Sequence, residues 1–253
     1  MSPENGLLQG KRVVVLGASR GVGREIVQRA SAQGAKVLAV ARQARGLAEV
    51  AKTASGVDTL ALDAASEDAP RKVFRKARPD LLVICGGATP PVRPIPELTW
   101  AEFSVNWEVD AKMAFQFCRE ALTAPLAPGS VVVIISSGAG LGGSPISGGY
   151  AGAKRMQMFL AKYCQAESDR RELGIRFVAL VPSRVMPETD LGQAAVNGYA
   201  RYLGAPPEKF LENMGARQSP AEVAEAVLDL AVRPLTEAGS IFTVSADGLA
   251  AVD

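Results

Sequence analysis

Apolar residues along this chain follow two alternating patterns. Short β-branched or apolar runs occupy positions 12–17, 36–41, 57–62, 80–85, 130–135, 175–181 and 240–244. Between them, apolar residues recur at the three-to-four-residue spacing of an amphipathic helix. The run Val131-Val132-Val133-Ile134-Ile135 is apolar at every position, as a strand covered by helices on both faces must be. Strands alternating with helices are the sequence form of βαβ units on a parallel sheet. The predicted fold is therefore α/β: a three-layer, doubly wound sandwich on a seven-stranded parallel sheet.

Neither a long linker nor a repeat of fixed period divides the 253 residues, so one domain over 1–253 is expected. One stretch departs from the pattern. After the sixth strand, Pro182, Pro187, Pro206 and Pro207 and several glycines interrupt short helical fragments. Such a segment sits at the carboxyl edge of the sheet, where ligands bind in these folds. Residues from about 183 to 218 are accordingly expected to form a substrate lid.

Composition narrows the chemistry. With 48% hydrophobic and 21% charged residues the chain can bury a core. A net charge of +2 without any block of like charges excludes a nucleic-acid or anionic-membrane footprint. Residues 1–10 lack the features of a secretory leader, and no apolar run nears the ~18 residues of a membrane span. A cytoplasmic protein with small-molecule partners is expected. Cys85, Cys118 and Cys164 lack CxxC spacing and read as reduced core thiols, with no metal site. The chain has no histidine, which removes Ser-His-Asp and Cys-His catalysis and most zinc hydrolysis.

The first strand runs into Gly17-Ala18-Ser19-Arg20-Gly21-Val22-Gly23 and then a helix. Glycines at this turn let backbone approach a pyrophosphate, and the helix N-terminal amides face it. Gly17, Ser19, Arg20, Gly21, Val22 and Gly23 are therefore candidate cofactor-binding residues of a Rossmann site. The same stretch spells GxSxG, the elbow of a serine hydrolase, but no histidine exists to take the serine proton. After the second strand, where an acidic residue would grip the ribose of NAD, stand Ala41 and Arg42. A carboxylate there would repel a 2′-phosphate, whereas Arg42 and Arg20 can bind one. NADP(H) is preferred over NAD(H) on this reading.

Tyr150 and Lys154 are four residues apart at the start of a helical stretch, so both fall on one face. A cation beside a phenol favours the phenolate, which suits a proton donor to a reduced carbonyl. Ser137, at the end of the fifth strand, precedes the tyrosine. A GxxxGxG turn, a serine after the fifth strand and YxxxK, in this order, resemble the short-chain dehydrogenase/reductase (SDR) family from about Lys11 to Leu249. The resemblance implies that Ser137 orients a substrate carbonyl and Tyr150 exchanges a proton with it. Lys154 would bind the nicotinamide ribose and tune the tyrosine. It also implies adenine contacts at Asp63 and Ala64, and cofactor contacts at Gly87, Tyr150, Pro182 and Thr189.

Three motifs depart from the family pattern. Asn-Asn-Ala-Gly after the fourth strand reads Ile84-Cys85-Gly86-Gly87, the catalytic asparagine is best matched by Asp110 with Asn106 one turn away, and Pro-Gly after the sixth strand is Pro182-Ser183. A carboxylate at 110 can pair with Lys154 and weaken its effect on the tyrosine. The leading expectation is an NADP(H)-dependent reductase of a ketone or aldehyde, or dehydrogenase of the alcohol. The alternatives are an NADP(H)-binding or sensing protein with little turnover, and a lyase or isomerase on the same scaffold. In the lid, Met186, Leu191, Tyr199, Tyr202, Phe210, Leu211 and Met214 would either line an apolar substrate pocket or pack the lid in place. The family's habit of association through the helical stretches around 98–122 and 150–173, the first carrying Trp100, Phe103, Trp107, Phe115 and Phe117, implies a homodimer or homotetramer.

Overall fold

The computed structural model describes residues 6–213, 217–234, 239–245 and 248–252. Its strands are β1 (Arg12–Leu16), β2 (Lys36–Ala41), β3 (Val57–Ala61), β4 (Leu81–Ile84), β5 (Val131–Ile135), β6 (Arg176–Pro182), β7 (Ile241–Ser245) and β8 (Gly248–Ala251). They form one sheet in the order β3-β2-β1-β4-β5-β6-β7-β8. Each of the seven apolar runs becomes a strand whose ends lie within one residue of the expected ones.

The eighth strand is a correction to the seven-stranded, all-parallel expectation. β1 to β7 are parallel, but β8 pairs antiparallel with β7, Ser245 opposite Gly248. Its sequence, Gly-Leu-Ala-Ala, has no β-branched residue and is largely exposed. Pairing with the open edge of β7, rather than any propensity of its own, makes it a strand.

The pleat sends alternate strand residues into two cores. Val13, Val15, Leu81, Val83, Val131 and Val133 meet helices α1 (Gly21–Ala32), α2 (Ala44–Thr53) and α10 (Pro220–Val232) on one side. Val14, Leu16, Leu82, Ile84, Val132 and Ile134 meet α3 (Ala69–Lys76), α5 (Lys112–Thr123) and α7 (Gly148–Arg170) on the other. Every residue of β4, β5 and β6 is buried, as two covered faces require.

Two features position the site. First, strand order reverses between β1 and β4, and the crevice at such a switch point lies outside the carboxyl ends of the strands. Second, α4 (Trp100–Asn106) continues into α5 through one π-helical turn, Trp107–Ala111, which carries Asp110. Turns of this kind re-aim side chains and recur at functional sites. α7 lies tight against α4 at Gly149, where a Cβ would come within 1.7 Å of the Phe103 carbonyl oxygen. The remaining helices are α6 (Ala139–Gly142), α8 (Asp190–Leu203) and α9 (Pro207–Asn213), the last two in the segment after β6. Among the described residues no helix is long and apolar enough to cross a membrane.

Candidate active site

An open cavity of about 700 Å³ lies at the carboxyl edge of the sheet. Six strand ends contribute to its wall: Gly17 after β1, Arg42 after β2, Asp63 after β3, Gly86 after β4, Ser137 after β5 and Ser183 after β6. Every catalytic and cofactor-binding candidate named from the sequence lines this one space. Ser19, Arg20, Gly21, Val22 and Gly23 line it with Gly17, Ala64 with Asp63, and Gly87 with Gly86; Asp110, Tyr150, Lys154, Pro182 and Thr189 complete the set.

The glycine turn is built by close backbone approach. Gly17 has φ +78°, and a Cβ on it would lie 2.6 Å from the Gly86 Cα. A Cβ on Gly23 would lie 2.3 Å from the Gly17 carbonyl oxygen. The N-cap of α1 is Arg20, whose side chain makes no capping hydrogen bond, and no acidic residue stands in the first turn. Uncapped amides with a positive dipole end on a cavity wall suit a phosphate. Arg42 is exposed at the rim. Arg20 forms an ion pair with Asp190, the first residue of α8. Asp63 Oδ1 accepts from the Ala65 amide at 3.0 Å in a local turn, while α3 begins only after Asp68.

The opposite end is a buried polar network. Lys154 Nζ lies 3.4 Å from Asp110 Oδ2, with the two side chains 7% and 1% exposed. The same ammonium donates to the Ile135 carbonyl at 3.2 Å and sits 5.5 Å from the Tyr150 ring centroid. Burial alone would depress the Lys154 ammonium, but Asp110, Tyr150 and Cys85 hold it above its usual 10.5. Asp110 Oδ1 accepts from the Ala88 amide at 2.8 Å, and Asn106 Nδ2 donates to the Ala88 carbonyl at 2.8 Å. A Cβ at Gly87 would fall 2.6 Å from Asp110 Oδ2, so any larger residue there would push the Asp110 carboxylate from its place. Cys85, on the same wall, has its thiol pushed up to about 11 by burial.

The adjacent serines part company. The buried Ser136 Oγ donates to the Lys154 carbonyl at 2.7 Å and ties β5 to α7. Ser137 Oγ accepts from the Ala139 amide at 3.2 Å, on the cavity wall.

Sequence reasoning missed Gln157, whose Nε2 donates to the Asp110 carbonyl at 3.2 Å across the π-helical turn. Its signal was a buried amide three residues after Lys154 on the same helix. It also missed Val92, a β-branched cavity residue at φ 48°. There the loop after β4 meets α8, where a Cβ on Gly198 would lie 2.2 Å from Val92 Cγ1. No local pattern announces that contact.

The residues expected in a lid divide. Met186, Leu191 and Tyr199 line the cavity, whereas Tyr202, Phe210 and Leu211 do not. Phe210 instead stacks on Tyr199, centroids 4.8 Å apart; Met214 lies outside the described residues. Thr189 Oγ1 accepts from the Gly192 amide at 3.0 Å as the N-cap of α8. The aromatics marked for association divide too. Phe117 is buried against Phe74, Phe103 is half-buried, Trp107 is exposed, and Trp100 and Phe115 are more than half exposed; so are Phe159 and Tyr163 on α7, which sequence reasoning missed.

A family profile described as short chain dehydrogenase matches residues 11–199. L-xylulose reductase of Bos taurus is 31% identical over 191 residues, 74% of this chain and 76% of that protein. L-xylulose reductase of Homo sapiens is 30% identical over 132 residues, 51% of this chain and 54% of that protein. Among solved structures, a 3-ketoacyl-(acyl-carrier-protein) reductase from Brucella melitensis, complexed with NADH, superposes with TM-score 0.76 at 21% identity. It covers 92% of this chain and 96% of its own.

Proposed function

The chain belongs to the short chain dehydrogenase family, and from that premise we propose that it is an NADP(H)-preferring oxidoreductase interconverting a ketone or aldehyde and its alcohol. The observation that carries the reading is the single cavity joining the glycine turn, Arg42 and Asp63 to Ser137, Tyr150 and Lys154. The likeness to L-xylulose reductase supports carbonyl reduction as the reaction class.

The residues fit a nicotinamide dinucleotide. Gly17, Ser19, Gly21, Val22 and Gly23 would hold the pyrophosphate against the uncapped amides of α1, with Arg42 and Arg20 at a 2′-phosphate. Asp63 and Ala64 would flank the adenine. Gly87, Pro182 and Thr189, with Tyr150 and Lys154, would hold the nicotinamide riboside. When bound, the nicotinamide supplies or accepts the hydride.

The chain's own residues then handle the proton. Ser137 Oγ donates a hydrogen bond to the substrate oxygen and fixes its position. The Tyr150 phenol gives that oxygen its proton. Lys154 places a positive charge where the phenol oxygen becomes negative, and Asp110 holds Lys154 in place. In this reading residues 1–253 form one domain and 183–218 the lid, of which residues 214–216 lie outside the described residues. The exposed Trp100, Phe115, Phe159 and Tyr163 support association into a homodimer or homotetramer.

A second reading, an NADP(H)-binding or sensing protein with little turnover, is favoured by one observation. Asp110 neutralises the cation that should assist Tyr150. The deciding experiment titrates NADPH and NADH into wild type and Arg42→Ala, then follows NADPH oxidation over a carbonyl panel with wild type and Tyr150→Phe. Tight NADPH binding weakened in Arg42→Ala, with turnover lost in Tyr150→Phe, supports the reductase. Binding without turnover supports the sensor, and absence of binding overturns both.

A further inference from the structure

Three of the cavity's cations differ in what already holds them, the fourth being Arg184. Lys154 faces the buried Asp110, Arg42 is exposed at the rim, and Arg20 is engaged by Asp190. Asp190 stands 170 residues beyond Arg20 in the chain. It reaches Arg20 because the first turn of α8 rests on the glycine turn: a Cβ on Gly21 would lie 3.6 Å from Thr189 Cγ2. The Thr189 side chain caps α8, which fixes the start of the helix and so the origin of the Asp190 side chain. Both partners line the cavity, with side chains 64% and 68% exposed, so an entering phosphate can reach the pair.

We propose that Asp190 is a specificity-determining residue for the cofactor: it competes with the 2′-phosphate for Arg20 and so limits the preference for NADP(H) over NAD(H). The proposal rests on the reading of the cavity as a nicotinamide dinucleotide site. A 2′-phosphate, carrying close to two negative charges at neutral pH, must either displace the Asp190 carboxylate from Arg20 or bind beside it. Displacement breaks an ion pair, and coexistence sets two anions against one guanidinium. Either route weakens NADP(H) binding. NAD(H) has no phosphate at that position and makes no demand on Arg20.

The test measures dissociation constants of NADPH and NADH for wild type, Asp190→Asn, Arg20→Ala and the double variant. Asn keeps the size of the side chain and leaves the Thr189 cap in place, and thermal melts check that all four proteins fold alike. Asp190→Asn is expected to raise the ratio of the NADH to the NADPH constant roughly threefold, in the range of an exposed ion pair, and less at high salt. In the Arg20→Ala background the same substitution should leave the ratio where it was. A ratio unchanged or lowered by Asp190→Asn overturns the proposal, as does an equal rise without Arg20. If wild type binds neither nucleotide, the cavity reading falls and takes this proposal with it; two bound nucleotides with an unmoved ratio sink the proposal alone.

Discussion

The two ends of the cavity are built by different physics. At the glycine-turn end, proposed to hold the cofactor phosphates, glycines and helix amides form the surface, and its ion pair, Arg20–Asp190, is about two-thirds exposed on each side. At the end proposed for proton transfer, side chains from α4–α5 and α7 and the backbone of the loop after β4 interlock around a pair only 7% and 1% exposed. An exposed pair is screened and is worth up to about 1 kcal/mol. Breaking a buried pair leaves a charge without a partner and costs about 3–5 kcal/mol. The phosphate end should therefore tolerate substitution with graded losses of affinity, and the other end should fail in structure or in turnover.

Tyr150→Phe should give the largest effect, lowering turnover by about 10²–10⁴-fold in a carbonyl-reduction assay while NADPH still binds. Retained turnover would erase the functional contrast between the two ends. Next, Asp110→Ala should destabilise the fold by about 3 kcal/mol in urea unfolding, since Lys154 loses its anion. A loss below about 1 kcal/mol would mean the buried pair behaves like an exposed one. Arg42→Ala should weaken NADPH about tenfold by removing a charge-assisted contact. NADH should be nearly unaffected, and the difference should shrink as salt rises; equal loss for both nucleotides would place Arg42 elsewhere than at the 2′-phosphate.

The smallest effect concerns pH. Lys154 is held above its usual 10.5 in the folded protein, so the folded state binds its proton more tightly than the unfolded chain. Its contribution is fully present below about pH 10.5 and is lost as pH rises through the raised folded value. The stability difference between wild type and Lys154→Met should then stay level from about pH 7 to 10 and change only above that. A change near neutral pH would show that another group governs the pair.

Legibility followed the same division. The central strands were readable because apolar, β-branched runs report two covered faces, and the glycine turn because positive φ and close backbone approach leave few residues possible. Tyr150 and Lys154 were readable as an i,i+4 pair on one helix. The segment after β6 was readable only as composition: Tyr199 and Phe210 look alike in sequence, yet Tyr199 lines the cavity and Phe210 stacks behind it. The aromatic helices behaved likewise, with Phe115 exposed and Phe117 buried two residues apart.

By itself, then, the sequence determined the α/β layering, the seven parallel strands and the family-defining motifs, because each depends on local periodicity or on one turn's dihedral angles. Tertiary structure alone decided that Gln157 braces the π-helical turn and that Asp190 meets Arg20. Each of these joins elements whose separation is set by packing, so no spacing along the chain encodes it.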